Sequence, residues 1–427
     1  MEERLRAAAV FRLYDPGVKN ARTYRRCAGC LCVGHSICVC GFYSKKGDLQ
    51  MNYRKLEKLG VELSVLGFGC MRLPTRDGKI EREEATAMLD YAYKSGVNYF
   101  DTAWGYHAEE SQYFVGEAMS KYPRDSFYLT TKMPVWLCNE NADLDKYFAE
   151  QLSRCKSDYF DFYLLHSLGK ERFEHCKKID AFTWLGELKK SGKIKYAGFS
   201  YHDENKYFAE ILDAFEWDFV QIQHNYIDNA HIKSGELYEE LTRRGIPVLV
   251  MEPVRGGHLA SLPDDVTDIL KAVNPDRSMA AWALQWVATQ QNIMVTLSGM
   301  STLEQVKENV ATFSQAQFTL SDVEMEAVGR AAEKLLSYKT VPCTACQYCM
   351  PCPFGVNIPR MFEIYNRYEM FHNKAFGQRD YFGPMMDMDT RADKCTGCQT
   401  CVSKCPQHID IPDRLAHVHE VMSALQG

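Results

Sequence analysis

From Met51 to about Leu336 the apolar positions alternate between two rhythms. Short apolar runs of four to six residues (65–70, 99–103, 127–131, 160–165, 195–199, 219–223, 247–251 and 294–297) read as buried strands. Each is followed by a segment with apolar residues at i, i+3, i+4 and i+7, the mark of a one-sided helix. In the first of these, 81–95, Ala85, Met88, Leu89 and Ala92 share a face and Gly96 stops the helix. The remaining predicted helices are 111–121, 143–156, 178–191, 204–215, 234–244, 278–290, 302–313 and 321–336. After Pro342 the strand rhythm disappears, and helices are expected over 359–373 and 412–425.

Eight strands alternating with helices over this length fit an α/β fold of the (β/α)8 TIM-barrel type, followed by a small, mainly helical domain. A doubly wound open sheet is the alternative, but it wants a Gly-rich phosphate turn after its first strand. Gly67-Phe68-Gly69-Cys70 lacks that full fingerprint and reads as barrel-strand geometry. The expected domains are residues 51–336 for the barrel and 342–427 for the C-terminal domain.

The net charge of −6 gives no reason to expect nucleic-acid binding. No apolar run approaches the ~20 residues of a membrane helix, and the N-terminus lacks a secretory apolar segment. The expected location is therefore the cytoplasm. Cysteine placement is more informative: of 17, five lie between Cys27 and Cys40 and eight between Cys343 and Cys405. Such clusters in a long chain without a secretory signal point to metal and away from a disulfide framework.

Barrel enzymes carry their chemistry at the C-terminal ends of the strands. The second strand ends at Asp101 and leads to Tyr106, the third ends near Lys132, and the fourth ends at His166. These groups suit carbonyl reduction. A hydride reaching a carbonyl carbon leaves charge on oxygen, and a tyrosine can donate the proton that oxygen needs. Lys132 would lower the phenol pKa from ~10, Asp101 would keep the lysine charged, and His166 could orient the carbonyl. Each residue alone is more often a cap, a packed ring or a surface group. Four compatible groups on one rim make the functional reading the stronger one.

Residues 52–336 resemble the aldo-keto reductase family. The resemblance rests on Tyr53-Arg-Lys-Leu-Glu-Lys-Leu-Gly60, Leu66-Gly-Phe-Gly69, Asn98-Tyr-Phe-Asp-Thr-Ala-Trp-Gly-Tyr106, Thr131-Lys132, Asp161-Phe-Tyr-Leu-Leu-His166 and Lys193-Ile-Lys-Tyr-Ala-Gly-Phe-Ser200. It implies Tyr106 as acid/base, supported by Lys132, Asp101 and His166. It also implies a nicotinamide cofactor held by Ser200, Gln221, Met251, Glu308 and Asn309. Tyr201 follows Ser200 where the family has Asn, and Met251 stands where an aromatic ring is common. The stretch from Ser298 to Gln305 has no cation to grip a 2′-phosphate, so NADH is as credible as NADPH.

The C-terminal cysteines form two sets. One is Cys343, Cys346, Cys349 and Cys352; the other is Cys395, Cys398, Cys401 and Cys405. Three thiolates at two-residue spacing wrap a cubane corner, and in two-cluster ferredoxins the fourth cysteine serves the other cluster. The expected ligand groups are Cys343, Cys346, Cys349 with Cys405, and Cys395, Cys398, Cys401 with Cys352. The helical content resembles helical two-cluster ferredoxin domains and implies two 4Fe-4S clusters. Paired four-cysteine zinc sites are the rival reading, which the succession ending in Cys-Pro disfavours.

Cys27, Cys30, Cys32, Cys38 and Cys40 could bind metal but match no ferredoxin spacing. Residues 1–50 are read as a disordered or non-native extension. The expected function is reduction of a small carbonyl, or oxidation of an alcohol, with electrons moving between the nicotinamide cofactor and the two clusters, and with a redox protein as a candidate further partner. The alternatives are an ordinary reductase whose clusters are structural or docking elements, and a non-catalytic redox sensor.

Overall fold

A computed structural model describes residues 30–32, 37–40, 50–338, 341–343, 345–384 and 386–426. The chain divides into two compact units: Met1–Val254 with Ala283–Leu320, and Arg255–Trp282 with Ser321–Gly427.

The first unit holds a closed barrel of eight parallel strands. In chain order they are Leu66–Gly69, Tyr99–Asp101, Tyr128–Met133, Phe160–Leu168, Ile194–Tyr201, Phe219–Gln223, Val248–Met251 and Ile293–Gly299. All eight match expected strands. The first strand is glycine-rich because the barrel is tight there. A Cβ at Gly67 would lie 2.6 Å from Val295 Cγ1 on the eighth strand.

Alternate strand residues face one side, and the register shows which face inward. Phe162 pairs with Thr130, Leu164 with Gly198, Gly198 with Phe219, and Gln221 with Leu249. Tyr99, Phe162, Leu164, Phe219, Leu249, Val295 and Leu297 fill the interior as one apolar cluster. Leu56, Val61 and Leu63 join that cluster. They come from an antiparallel hairpin, Tyr53–Leu56 with Val61–Ser64, which closes the N-terminal mouth. Two residues further along each strand, the same inward face reaches the C-terminal rim. There it carries Asp101, Lys132, His166, Ser200, Gln221 and Met251. The interior is thus apolar below and polar above.

Two strands from the expected disordered extension, Cys30–Cys32 and Ile37–Cys40, continue the hairpin into a four-stranded sheet. Cys27 and most of residues 1–49 lie outside the described residues. The expected helix 178–191 is present as Ala181–Lys190, and a further helix that was not expected, Lys170–Lys178, precedes it, the two separated where Asp180 takes a left-handed φ of 54°. The expected helix 204–215 shortens to a turn at Asn205–Tyr207 and the helix Phe208–Asp213.

The second unit contains helices Asp264–Lys271 and Asp322–Ser337, which pack together, and the Cys-rich segment. Its C-terminal helices Ile358–Phe371 and Ile411–Ala424 each begin with a proline in the first turn, as expected. A third, Lys374–Phe382, was not anticipated. Val356, Met361, Phe362, Tyr365, Leu415 and Val418 are the centre of its core, and Cys401 is buried among them.

Candidate active site

Asp101 stands opposite Thr130 in the register between the second and third strands. Lys132, two residues beyond Thr130, therefore projects from the same face one step nearer the rim. The Lys132 ammonium donates to Asp101 Oδ1 at 2.6 Å, to the Thr102 carbonyl at 3.0 Å and to the Tyr106 hydroxyl at 3.3 Å. Both charged side chains are 1% exposed. Burial works against the ammonium, yet Asp101 and Tyr106 outweigh it and raise the Lys132 pKa above the ordinary lysine value.

The backbone behind the pair is braced. Gln151 donates to the Lys132 carbonyl at 2.8 Å, and Gln112 donates to Thr131 Oγ1 at 2.7 Å. Tyr106 comes from a loop that turns sharply: His107, Ala108 and Glu109 all have positive φ, between 50° and 72°. Three successive non-glycine residues in that region store strain, a pattern that gathers at functional sites.

Burial pushes the Tyr106 phenol above its ordinary pKa, and Lys132 pulls it down without overcoming that effect. The expectation of a lowered phenol pKa is corrected accordingly: at neutral pH the phenol keeps its proton, while the ammonium lessens the cost of releasing it. Burial, followed by the fields of Lys132, His202 and Arg172, holds the His166 imidazole well below the usual histidine range. His166 is therefore neutral at pH 7 and able to donate one hydrogen bond. Its ring lies 6.2 Å from that of Tyr106, centroid to centroid, at 82°.

The aim of His166 depends on a bulge. Leu165 pairs with Phe199, but Leu168 pairs with Tyr201, so the fourth strand carries one extra residue at the rim. Ser167 takes the left-handed φ of 58° and donates its N–H to Ser200 Oγ at 2.7 Å. Ser200 thus supports the bulge and keeps its own hydroxyl proton for another acceptor.

Gln221 is buried on the rim, and its Oε1 has no hydrogen-bond partner among the described residues. A buried acceptor left open suits a primary amide donor such as a nicotinamide carboxamide. Met251 is half-buried at the end of the seventh strand. Asn309, on the helix Leu303–Phe313, donates to Ser298 Oγ at 3.1 Å, and Glu308 is exposed beside it.

A cation from another part of the chain stands beside the stretch between Ser298 and Gln305. Arg72, just after the first strand, packs so close to Gly299 that a Cβ there would meet its side chain at 3.1 Å. Its carbonyl accepts from Ser301 Oγ at 2.8 Å, and its guanidinium pairs with Glu252 at 3.1 Å. No local motif marked this residue, because the contact spans 229 positions.

In the second unit, Cys343, Cys346, Cys349 and Cys405 line one small open pocket together with Ile358, Phe362, Ile409 and Ile411. Burial, then the nearby thiols of Cys395, Cys398 and Cys352, raise the pKa of Cys401, and burial with Cys343, Cys346 and Cys401 pushes Cys349 up to about 11. Thiols are the ligands that iron–sulfur clusters take, so the residue types lining this space suit such a cluster, while among the described residues no three potential ligands are gathered closely enough to hold a single metal ion.

The barrel and its polar rim define a class of proteins, and the comparisons agree. Residues 65–333 match the Aldo/keto reductase family. The chain belongs to that family. Residues 342–409 match the 4Fe-4S dicluster domain. The barrel is similar to an aldo-keto reductase from Bacillus halodurans in its holo form, at 27% identity and a TM-score of 0.56, covering 66% of this chain and 96% of that one. Among characterised sequences it resembles the NADH-specific methylglyoxal reductase of Escherichia coli K12, 28% identical across 64% of this chain and 96% of that protein. It also resembles the L-galactose dehydrogenase of Arabidopsis thaliana, 25% identical across 64% and 94% respectively. An aldo-keto reductase from Klebsiella pneumoniae in complex with NADPH, at 21% identity and a TM-score of 0.52, shares the fold. Among the described residues no helix is long and apolar enough to cross a membrane.

If the fourth cysteine of each set serves the other cluster, Cys405→Ser disturbs the cluster held by Cys343, Cys346 and Cys349. The double variant Cys343→Ser/Cys346→Ser should then lose the same EPR signal as Cys405→Ser, leaving the second signal. Loss of different signals in the two variants would contradict the crossed arrangement.

Proposed function

We propose that the chain is a cytoplasmic reductase of small carbonyl compounds, or in reverse an alcohol dehydrogenase, using NADH or NADPH. Residues 51–336 form the reductase module and residues 342–427 a module for two 4Fe-4S clusters. The observation that carries this reading is the buried Lys132 ammonium, held by Asp101 and donating to the Tyr106 hydroxyl.

The nicotinamide, when bound, supplies the hydride. Gln221 Oε1 and the Ser200 hydroxyl are placed to hold its carboxamide, and Met251 to cover the ring by soft contact. Arg72 offers a cation near the end of the eighth strand for the cofactor's phosphates. Asn309 and Glu308 stand on the adenine side. Neutral His166 donates a hydrogen bond to the carbonyl oxygen and sets its direction toward Tyr106. Tyr106 passes its phenolic proton to that oxygen as charge develops there, and Lys132 stabilises the phenolate left behind. In the oxidative direction the same phenolate accepts the alcohol proton.

The clusters, as one-electron sites, serve electron transfer with a redox protein partner. A second reading, in which they are structural, is favoured by the packing of Cys343, Cys349, Cys352, Cys395, Cys401 and Cys405 against the unit's apolar core. EPR of anaerobically prepared protein separates the two: cluster signals that appear on adding NADH or NADPH support electron transfer, and signals that appear only with dithionite support the structural role. For the reductase itself, Tyr106→Phe should lower kcat by about a hundredfold to ten-thousandfold, the usual worth of a positioned acid. Undiminished carbonyl turnover in that variant would overturn the assignment.

A further inference from the structure

We propose that Arg172 is a specificity-determining residue, and that the carbonyl compound taken by this rim carries a carboxylate which Arg172 anchors. The inference rests on the reductase reading for the position of the carbonyl, but its geometry is separate. Arg172 lies in the first turn of the helix Lys170–Lys178, which follows the fourth strand at the rim. Its Nη1 donates to the Ser167 carbonyl at 2.9 Å, one residue beyond His166. Its guanidinium carbon sits 4.8 Å from the centre of the Trp136 ring, and that ring is 5.2 Å from His166. Tyr106, His166, Trp136 and Arg172 therefore form a continuous row leading away from the proton donor.

A cation beside a rim that already holds Lys132 is electrostatically unfavourable unless something offsets it. Lys132 is matched by Asp101, but among the described residues no carboxylate pairs with Arg172. Asp203, an acidic residue that bonds the N-terminus of the same helix, is occupied: its Oδ2 accepts from the Lys170 N–H at 2.7 Å and its Oδ1 from the Glu204 N–H at 2.7 Å. Five guanidinium N–H groups are available and one contact is made within the chain. The side chain is half-buried, and its flat face is held by Trp136, which is 42% exposed. An exposed indole with a guanidinium stacked on it is a preorganised anion site, because the planar fork matches a carboxylate in two parallel hydrogen bonds. A role limited to pinning the Ser167 bulge would need only the single hydrogen bond and no stacked, open guanidinium.

Two matched probes test this on the full chain with bound nicotinamide. Succinic semialdehyde and butanal present similar carbonyls, but only the first carries a terminal carboxylate. The wild type should show kcat/KM higher for succinic semialdehyde by roughly tenfold to a hundredfold, expressed mainly in KM. Arg172→Met should bring that ratio to within about threefold of unity, and Arg172→Lys, which keeps charge but loses the planar fork, should fall between. In parallel, calorimetry with butyrate and butyramide reads anion binding without turnover. Butyrate should bind about tenfold tighter than butyramide, and the difference should vanish in Arg172→Met. Equal use of the two aldehydes by the wild type, or a preference that survives Arg172→Met, overturns the anchor while leaving the reductase reading intact. If neither aldehyde is reduced but butyrate binding still depends on Arg172, the reductase reading fails and the anion site stands.

Discussion

The site depends on one buried ion pair. Lys132 and Asp101 lie 2.6 Å apart in a place where each is 1% exposed. Removing such charges from water costs several kcal/mol per ion, and attraction repays it only with good geometry and further hydrogen bonds. On the ammonium's side those bonds are present, its three protons going to Asp101, the Thr102 carbonyl and Tyr106, while Asp101 Oδ2 has no partner among the described residues. No proton is left unsatisfied, so the lysine has a single stable arrangement and Tyr106 has a fixed neighbour. The barrel makes this possible because adjacent parallel strands bring Asp101 and Lys132 to one inward face at successive heights. The apolar layer beneath, closed by the hairpin residues Leu56, Val61 and Leu63, seals the pair from water on that side.

Burial then sorts the titrating groups into roles. Lys132 stays charged because its partner is as buried as it is. Tyr106 stays protonated because desolvation exceeds the pull of the ammonium. His166 stays neutral because burial disfavours the imidazolium, and the neighbouring Lys132 and Arg172 disfavour it further. A cation beneath, a neutral donor beside and a protonated phenol between them is a distribution that suits proton delivery to a carbonyl oxygen.

Much of this was legible in the sequence, for a physical reason. Strand residues alternate faces, so an apolar run ending in a polar residue places that residue on the rim, and Asp101, Lys132 and His166 were readable in this way, whereas Gln221 came only from the family resemblance. The strands were marked by short apolar runs that alternate with helical periodicity. The helix Lys170–Lys178 was missed because Phe173 and Cys176 are its only buried apolar residues, too few to show a stripe. Asp264–Lys271, with Val266 and Leu270 alone buried, escaped for the same reason. What periodicity cannot express is contact between distant segments. The Ser167 bulge, the approach of Arg72 to Gly299 and the stacking of Arg172 on Trp136 each join separate loops. The direction of the Tyr106 shift was also hidden, since the depth of burial is set by the packed barrel.

The central claim is that the rim delivers hydride directly to a carbonyl carbon, with the clusters outside that step. It is tested by single-turnover reduction of succinic semialdehyde with nicotinamide cofactor deuterated at the transferable C4 position, followed by mass spectrometry of the alcohol. The account predicts one deuterium on the former carbonyl carbon. An alcohol carrying solvent hydrogen at that carbon would mean that the electrons travelled separately from the hydrogen nucleus, and would contradict it.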